Sequence, residues 1–229
     1  MRPALTSAAV VALLACGPVA AQDAIAWLQE GVGLSTRVMS PGEWTPAGGL
    51  VHATDPLTLW QTGPDATLIT VPEAPARVIG LIDREYGRSI LMALVWSDAP
   101  VVCGEDLGTI GVDTGLAGFL TPADVAALEA YADPSLGTYH GTYADQLEAE
   151  APTVPLIAEL PDGSRFPVSG SGWGDGGYPV ASLRDASGAM VAVYAQFDTG
   201  TDDWLLPVSC GQASHRPDDT SRRGATALR

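Results

Sequence analysis

Lysine is missing altogether from this 229-residue chain, and its eleven cationic side chains are all arginines. That absence removes the Schiff-base amine, the phosphate-loop lysine and the Ser–Lys nucleophile from consideration. Set against 27 acidic residues, the shortage of cations leaves a formal charge of −16. Phosphate backbones and anionic bilayers need clustered cations, so nucleic acid is excluded as a partner. Histidine is nearly as scarce. His52, His140 and His215 are scattered, with neither a His-x-x-x-His nor a Cys-x-x-Cys spacing, so no metal site is expected and no cofactor is implied. A Gly-x-Ser-x-Gly elbow and the alternating ligands of an EF-hand loop are also missing. After the first turns of chain, no apolar run is long enough to cross a membrane.

What is present begins with "MRPALTSAAVVALLACGPVAAQDA". Arg2 precedes an apolar stretch from about Ala8 to Ala15, and Val19 and Ala21 occupy the −3 and −1 positions before Gln22. This pattern predicts a signal peptide over 1–21 and an exported, periplasmic or secreted, mature chain. A rival lies in "LLAC", which resembles a lipobox and would anchor the protein through lipid on Cys16; Leu14 and the better alanine site downstream weigh against it. Beyond the leader two cysteines remain, Cys103 and Cys210. In an oxidising compartment they predict one disulfide closing a long loop; a pair of buried free thiols is the alternative.

Residues 22–63 are rich in Gly, Pro and Trp and read as an irregular N-terminal segment with one strand inside "LVHATDPLTLW". A β-rich domain is expected over 64–210. "ARVIGLID" and "RSILMALVWS" are apolar, partly β-branched runs separated by "REYG", and predict two adjacent buried strands. "LGTIGVDTGLAGFL" reads as strand, glycine turn and strand. At "LTPADVAALEAYADP" the period changes: Thr121 is placed to cap, Pro122 suits the first helical position and Pro134 stops the helix. A second short helix is expected in "TYADQLEAEA". Two hairpins follow, turning at Pro161–Gly163 and at Asp185–Gly188. The tail 211–229 is poor in apolar residues and is expected to be disordered. The fold class is therefore a single β-rich α+β domain, with antiparallel, sandwich-like sheets and one or two short helices.

Two stretches carry possible chemistry. Asp-Thr-Gly occurs at Asp113–Gly115 and again at Asp198–Gly200, the second inside "FDTGTDDWLLP". Such tripeptides present the paired carboxylates of aspartic proteases, which must share one proton. The chain order and the missing strand behind each copy favour a simpler reading, in which Asp and Thr bond local backbone in a tight turn. The second stretch is "VSGSGWGDGGYPV", residues 168–180. Its glycines permit close backbone approach. Trp173 and Tyr178 offer stacking faces, and Asp175 offers a carboxylate.

"GVDTGLAGFLTPADV", "SGSGWGDGGYPV" and "LRDASGAMVAVYAQF", in that order, resemble the bacterial domain of unknown function 4241. Asp113, Gly115 and Phe119 fit its first element. Ser171, Gly172, Gly174, Asp175, Gly176 and Tyr178 fit its glycine-aspartate loop, and Asp185, Gly188, Val191 and Phe197 its closing hairpin. The resemblance spans about residues 76–200 and implies no known activity. It also implies that Asp198 lies just past the shared core.

The functional expectation is an exported acidic domain that binds an unknown small molecule, glycan or protein. Its site combines Asp113, Thr114 and Gly115 with Trp173, Gly174, Asp175, Gly176 and Tyr178, with Phe119 on the rim. Two rivals stand beside it. One is a hydrolase with paired carboxylates, Asp113/Asp175 on a glycoside or Asp113/Asp198 on a peptide. The other is an envelope lipoprotein with a structural role.

Overall fold

The uninterrupted apolar runs at residues 76–83 and 89–95 have a simple structural cause: both faces of those strands are covered. In the computed structural model, which describes residues 22–58, 68–131, 147, 154–200 and 204–213, two antiparallel sheets pack face to face. The first sheet has six strands, in the order β1 (Thr36–Trp44), β4 (Ala76–Asp83), β5 (Ser89–Val95), β11 (Met190–Gln196), β10 (Gly176–Arg184) and β6 (Cys103–Val112). The second has five, in the order β3 (Leu68–Thr70), β2 (Leu50–Thr54), β7 (Leu116–Leu120), β9 (Arg165–Gly170) and β8 (Leu156–Glu159). Between them lies a core built from Val78, Met92, Leu94, Ile110, Val180 and Val193 on one side and Val51, Ala53, Ala117 and Phe119 on the other. Full burial of each large side chain contributes about 1.5–3 kcal/mol.

Each sheet has a second covering on its outer face. Helix α1 (Ala24–Gly31) lays Ala24 and Leu28 on Leu81, Leu91, Ala93 and Tyr194 of the six-stranded sheet. Helix α2 (Pro122–Tyr131) places Ala127 and Leu128 with Leu116, Leu120, Phe166 and Val168 of the other, where Leu147 is also buried. The start of α2 is a reciprocal cap. The Asp124 amide donates to Thr121 Oγ1 at 3.2 Å, while the Asp124 carboxylate accepts from the Thr121 amide (2.9 Å) and hydroxyl (2.7 Å).

The expected β-rich sandwich, the strand pair 76–83/89–95, the helix after Thr121 and both hairpins are present. Residues 22–63 are a correction. Far from irregular, this segment supplies α1, β1 and β2, so the folded unit begins well before residue 64. β1 is an edge strand whose burial pattern is mostly exposed and which bulges between Met39 and Gly42. Edge strands tolerate such Pro- and Gly-bearing polar sequence, and for that reason they lack apolar alternation. At the other end, Cys210–Ala213 form one helical turn rather than disordered tail. The leader expected over 1–21 with Cys16, the helix expected in "TYADQLEAEA" apart from Leu147, His140, His215 and residues 214–229 lie outside the described residues.

The disulfide between Cys103 and Cys210 is formed. It fastens a C-terminal strap, residues 204–209, across the six-stranded sheet. Gly104 N–H donates to the Val208 carbonyl at 2.9 Å, and Leu205 N–H to Gln196 Oε1 at 2.8 Å. Tyr194 donates its phenolic hydrogen to the Leu205 carbonyl. Among the described residues no helix is long and apolar enough to cross a membrane.

Candidate functional site

The chain passes between the sheets twice at one corner. Val112 ends β6 opposite Gly176 in the first sheet, and Leu116 opens β7 opposite Gly170 in the second. Residues 113–115 therefore cross one way and residues 171–175 cross back beside them. The Ser171 amide donates to the Gly115 carbonyl at 2.9 Å, and a Cβ added to Gly115 would come within 3.7 Å of Gly174 Cα. The two glycine turns singled out in the sequence are thus neighbours. Crossing so sharply requires left-handed backbone at Gly115 (φ 74°) and Gly172 (φ 73°). Gly172 has a second constraint, since its missing Cβ would lie 2.5 Å from the Ser89 carbonyl oxygen.

The Asp113–Thr114–Gly115 turn is held from below by a residue the sequence did not reveal. Asp55, fully buried after β2, accepts from the amides of Asp113 (2.9 Å), Thr114 (2.8 Å) and Leu57 (2.9 Å) and from the Thr114 hydroxyl (2.8 Å). Burial pushes its carboxyl above the ordinary aspartate value, and these four donors oppose that rise. The Asp113 carboxylate itself is exposed and makes no hydrogen bond or ion pair among the described residues. Asp198, its expected partner in an aspartic-protease pair, is engaged with Trp173 and Arg88. Thr114 is committed to Asp55.

In the second crossing, Gly174 is locked through its carbonyl, which accepts from Ser171 Oγ (2.6 Å) and Tyr178 Oη (2.8 Å). Tyr178 packs edge-on against Phe197 (5.5 Å) and Trp204 (6.4 Å), and burial raises its phenol. Two expectations are corrected here. Tyr178 is a core residue that fastens the loop rather than a stacking face, and Phe119 is fully buried between the sheets rather than on a rim. Gly176 is the first residue of β10. Asp175 is exposed and, like Asp113, has no hydrogen bond or ion pair among the described residues.

Trp173 is the outward-facing member of the loop, 64% exposed. It is nonetheless fixed. Its Nε1 donates to Asp198 Oδ2 at 2.7 Å, and the Arg88 guanidinium lies over its ring, 3.1 Å from the centroid. The same guanidinium is 4.7 Å from the ring centroid of Tyr86, another exposed aromatic. Arg88 is close enough to Asp198, at 3.7 Å, for charge attraction but not for a hydrogen bond, and its Nε is buried without a partner. Asp198 is placed by the main chain, its amide donating to the Ile90 carbonyl at 3.2 Å. The second Asp-Thr-Gly copy therefore serves the indole. In sequence, residues 84–87 read only as a turn; the signal for Tyr86 and Arg88 is "REYGR", which puts an aromatic and a cation two residues apart in a tight hairpin.

No family model matches the chain. Neither a curated protein nor a solved structure matches it either. The corner offers a fixed, exposed indole, a second exposed aromatic ring and two exposed carboxylates without a partner among the described residues, over a frame held by buried hydrogen bonds. No cluster among the described residues has the composition of a metal site. A narrow apolar crevice lies elsewhere, between β6 and the β2–β3 ribbon, lined mainly by Ala53, Ile69, Leu107, Ile110 and Val180.

Proposed function

We propose that this protein is an exported binding domain, an acidic relative of the domain of unknown function 4241, whose ligand seats against Trp173. The observation that carries the reading is the state of that indole. An exposed tryptophan free to rotate loses conformational entropy on binding, whereas one already hydrogen-bonded through Nε1 and stacked on Arg88 does not. A rigid aromatic face on a frame of buried hydrogen bonds is how stacking sites are preorganised. Asp113 and Asp175 stand on the abutting turns as unspent acceptors. Export is supported by the leader pattern and by the Cys103–Cys210 bridge, which persists in oxidising compartments.

The hydrolase alternative keeps one supporting observation, that Asp113 and Asp175 belong to touching turns. A glycosidase acid is kept protonated by apolar burial, and both of these carboxylates are exposed. Binding without turnover is the better reading.

The test follows the Trp173 Nε1–H resonance, assigned with W173F, through titration with neutral oligosaccharides, short peptides and free amino acids. One class is expected to shift that resonance and to raise the melting temperature of the native protein but not of W173A. If whatever stabilises the protein leaves Trp173 unmoved and acts equally on W173A, the site lies elsewhere.

A further inference from the structure

Arg88 is the oddity of this corner. It is the guanidinium between two aromatic rings, its side chain only 16% exposed, and it makes no hydrogen bond with any of its five donors among the described residues. Stacking and the attraction of Asp198 hold it. The corner therefore already does one piece of recognition on its own chain: Tyr86, Trp173 and Asp198 accept a cation through ring faces and charge. Both rings keep most of their surface in solvent.

The electrostatic surroundings extend the same preference. Asp113 and Asp175 are exposed on the adjoining turns with no partner among the described residues, and the Glu85 carboxylate adds negative charge beside Tyr86. Arg84, the neighbouring cation in sequence, is engaged through Nε with the Thr36 carbonyl at 2.9 Å. The whole chain carries −16 and no lysine. An anionic ligand would have to approach past Asp113, Asp175 and Asp198. A neutral sugar would use the indole but gain nothing from the charge. A cationic side chain uses both.

We infer that this corner is a receptor for arginine or lysine side chains of a basic peptide or protein segment, with Arg88 as the internal stand-in for the ligand's charge. This deepens the Trp173 binding reading and rests on it. Guanidinium favours the arrangement over ammonium because it is planar, weakly hydrated and stacks on ring faces. Long-range attraction from the acidic surface raises the encounter rate and makes the interaction weaken as salt is added.

The experiment uses the native protein and three capped pentapeptides, Gly-Arg-Gly-Arg-Gly and its Gln and Glu counterparts, together with a neutral oligosaccharide. Binding is read from the Trp173 indole resonance and by calorimetry at low and high salt. The arginine peptide is expected to bind and the Gln and Glu peptides not to. W173A should weaken it by about tenfold. D113N/D175N should weaken it by about fivefold at low salt. E43Q/E129Q, which removes the same charge from exposed positions elsewhere, should leave it unchanged. R88M empties the stand-in position and should tighten binding several-fold, with the melting temperature checking that the corner stays folded. Equal binding of the arginine peptide to W173A, or equal weakening by E43Q/E129Q, would mean attraction to net charge alone and would overturn the inference. A neutral oligosaccharide that needs Trp173 while the arginine peptide fails would overturn it too, but would leave the binding-domain reading standing. If no probe engages Trp173, both fall.

Discussion

Replacing Asp55 by alanine isolates the role of the buried carboxylate under the first crossing. The substitution strips the acceptor from three amides and one hydroxyl. The Leu57 amide lies in the interior, and orphaning a buried donor costs about 1–3 kcal/mol. The Asp113 and Thr114 amides sit nearer solvent, so water replaces part of what they lose. Relief of the carboxylate's own desolvation offsets a further part. The expected net loss is about 3 kcal/mol, which for a domain of this size lowers the melting temperature by about 6–12 °C. D55N should lose less, because it keeps the shape but turns a donor toward an existing donor. The pH dependence supplies the sign. Burial raises the folded-state value of Asp55, so its contribution is full below the unfolded value of 3.8 and is lost as pH rises through the folded value. The stability gap between wild type and D55N, measured by urea titration, should therefore narrow as pH is raised from about 4 toward 7. A loss below about 1 kcal/mol for D55A, or a gap that widens with pH, would refute this reasoning.

Other perturbations separate the parts of the frame. Gly172→Ala should cost about 3 kcal/mol, from left-handed backbone plus the Ser89 carbonyl in its way, whereas Gly188→Ala, at φ 84° with open space around it, should cost about 1–2; paired thermal melts compare them. C103S/C210S should lose about 4–5 kcal/mol in the chain-entropy picture of a long closed loop, read by urea titration; a loss under about 1 would show that the strap holds without the bridge. Tyr178→Phe removes one of two donors to the Gly174 carbonyl and should cost about 1 kcal/mol while broadening the Trp173 indole resonance.

Local chemistry explains which parts of this molecule could be read in advance. β4 and β5 announce themselves because both faces are buried and every position from Val78 to Ile82 and from Ser89 to Val95 is apolar or small. The Thr121 cap and the two hairpin turns are written within a few residues each, and so were visible. α1 is only eight residues long and β1 is a bulged edge strand, so neither carries a usable period. The candidate corner was half legible. Its glycine loops stood out by composition, and their contact depends on a register between β6 and β10 that no local pattern encodes. Asp55 bonds a turn 58 residues away, a pairing that no local pattern around Pro56 encodes. Tyr178 and Phe119 misled because aromatic residues beside glycine are as well suited to closing a core as to receiving a ligand.

The strand order of the six-stranded sheet bears on how the molecule comes into being. β5 finds its outer neighbour in β11, Val95 opposite Ala192, and among the described strands β6 pairs with β10. While the chain is being made, β4 and β5 must wait with one edge bare until β11 appears. Completion of the sheet is thus tied to the appearance of β10 and β11. A nascent chain stalled before β10 would be a sticky, half-made sheet, and one released intact can close and then oxidise its bridge.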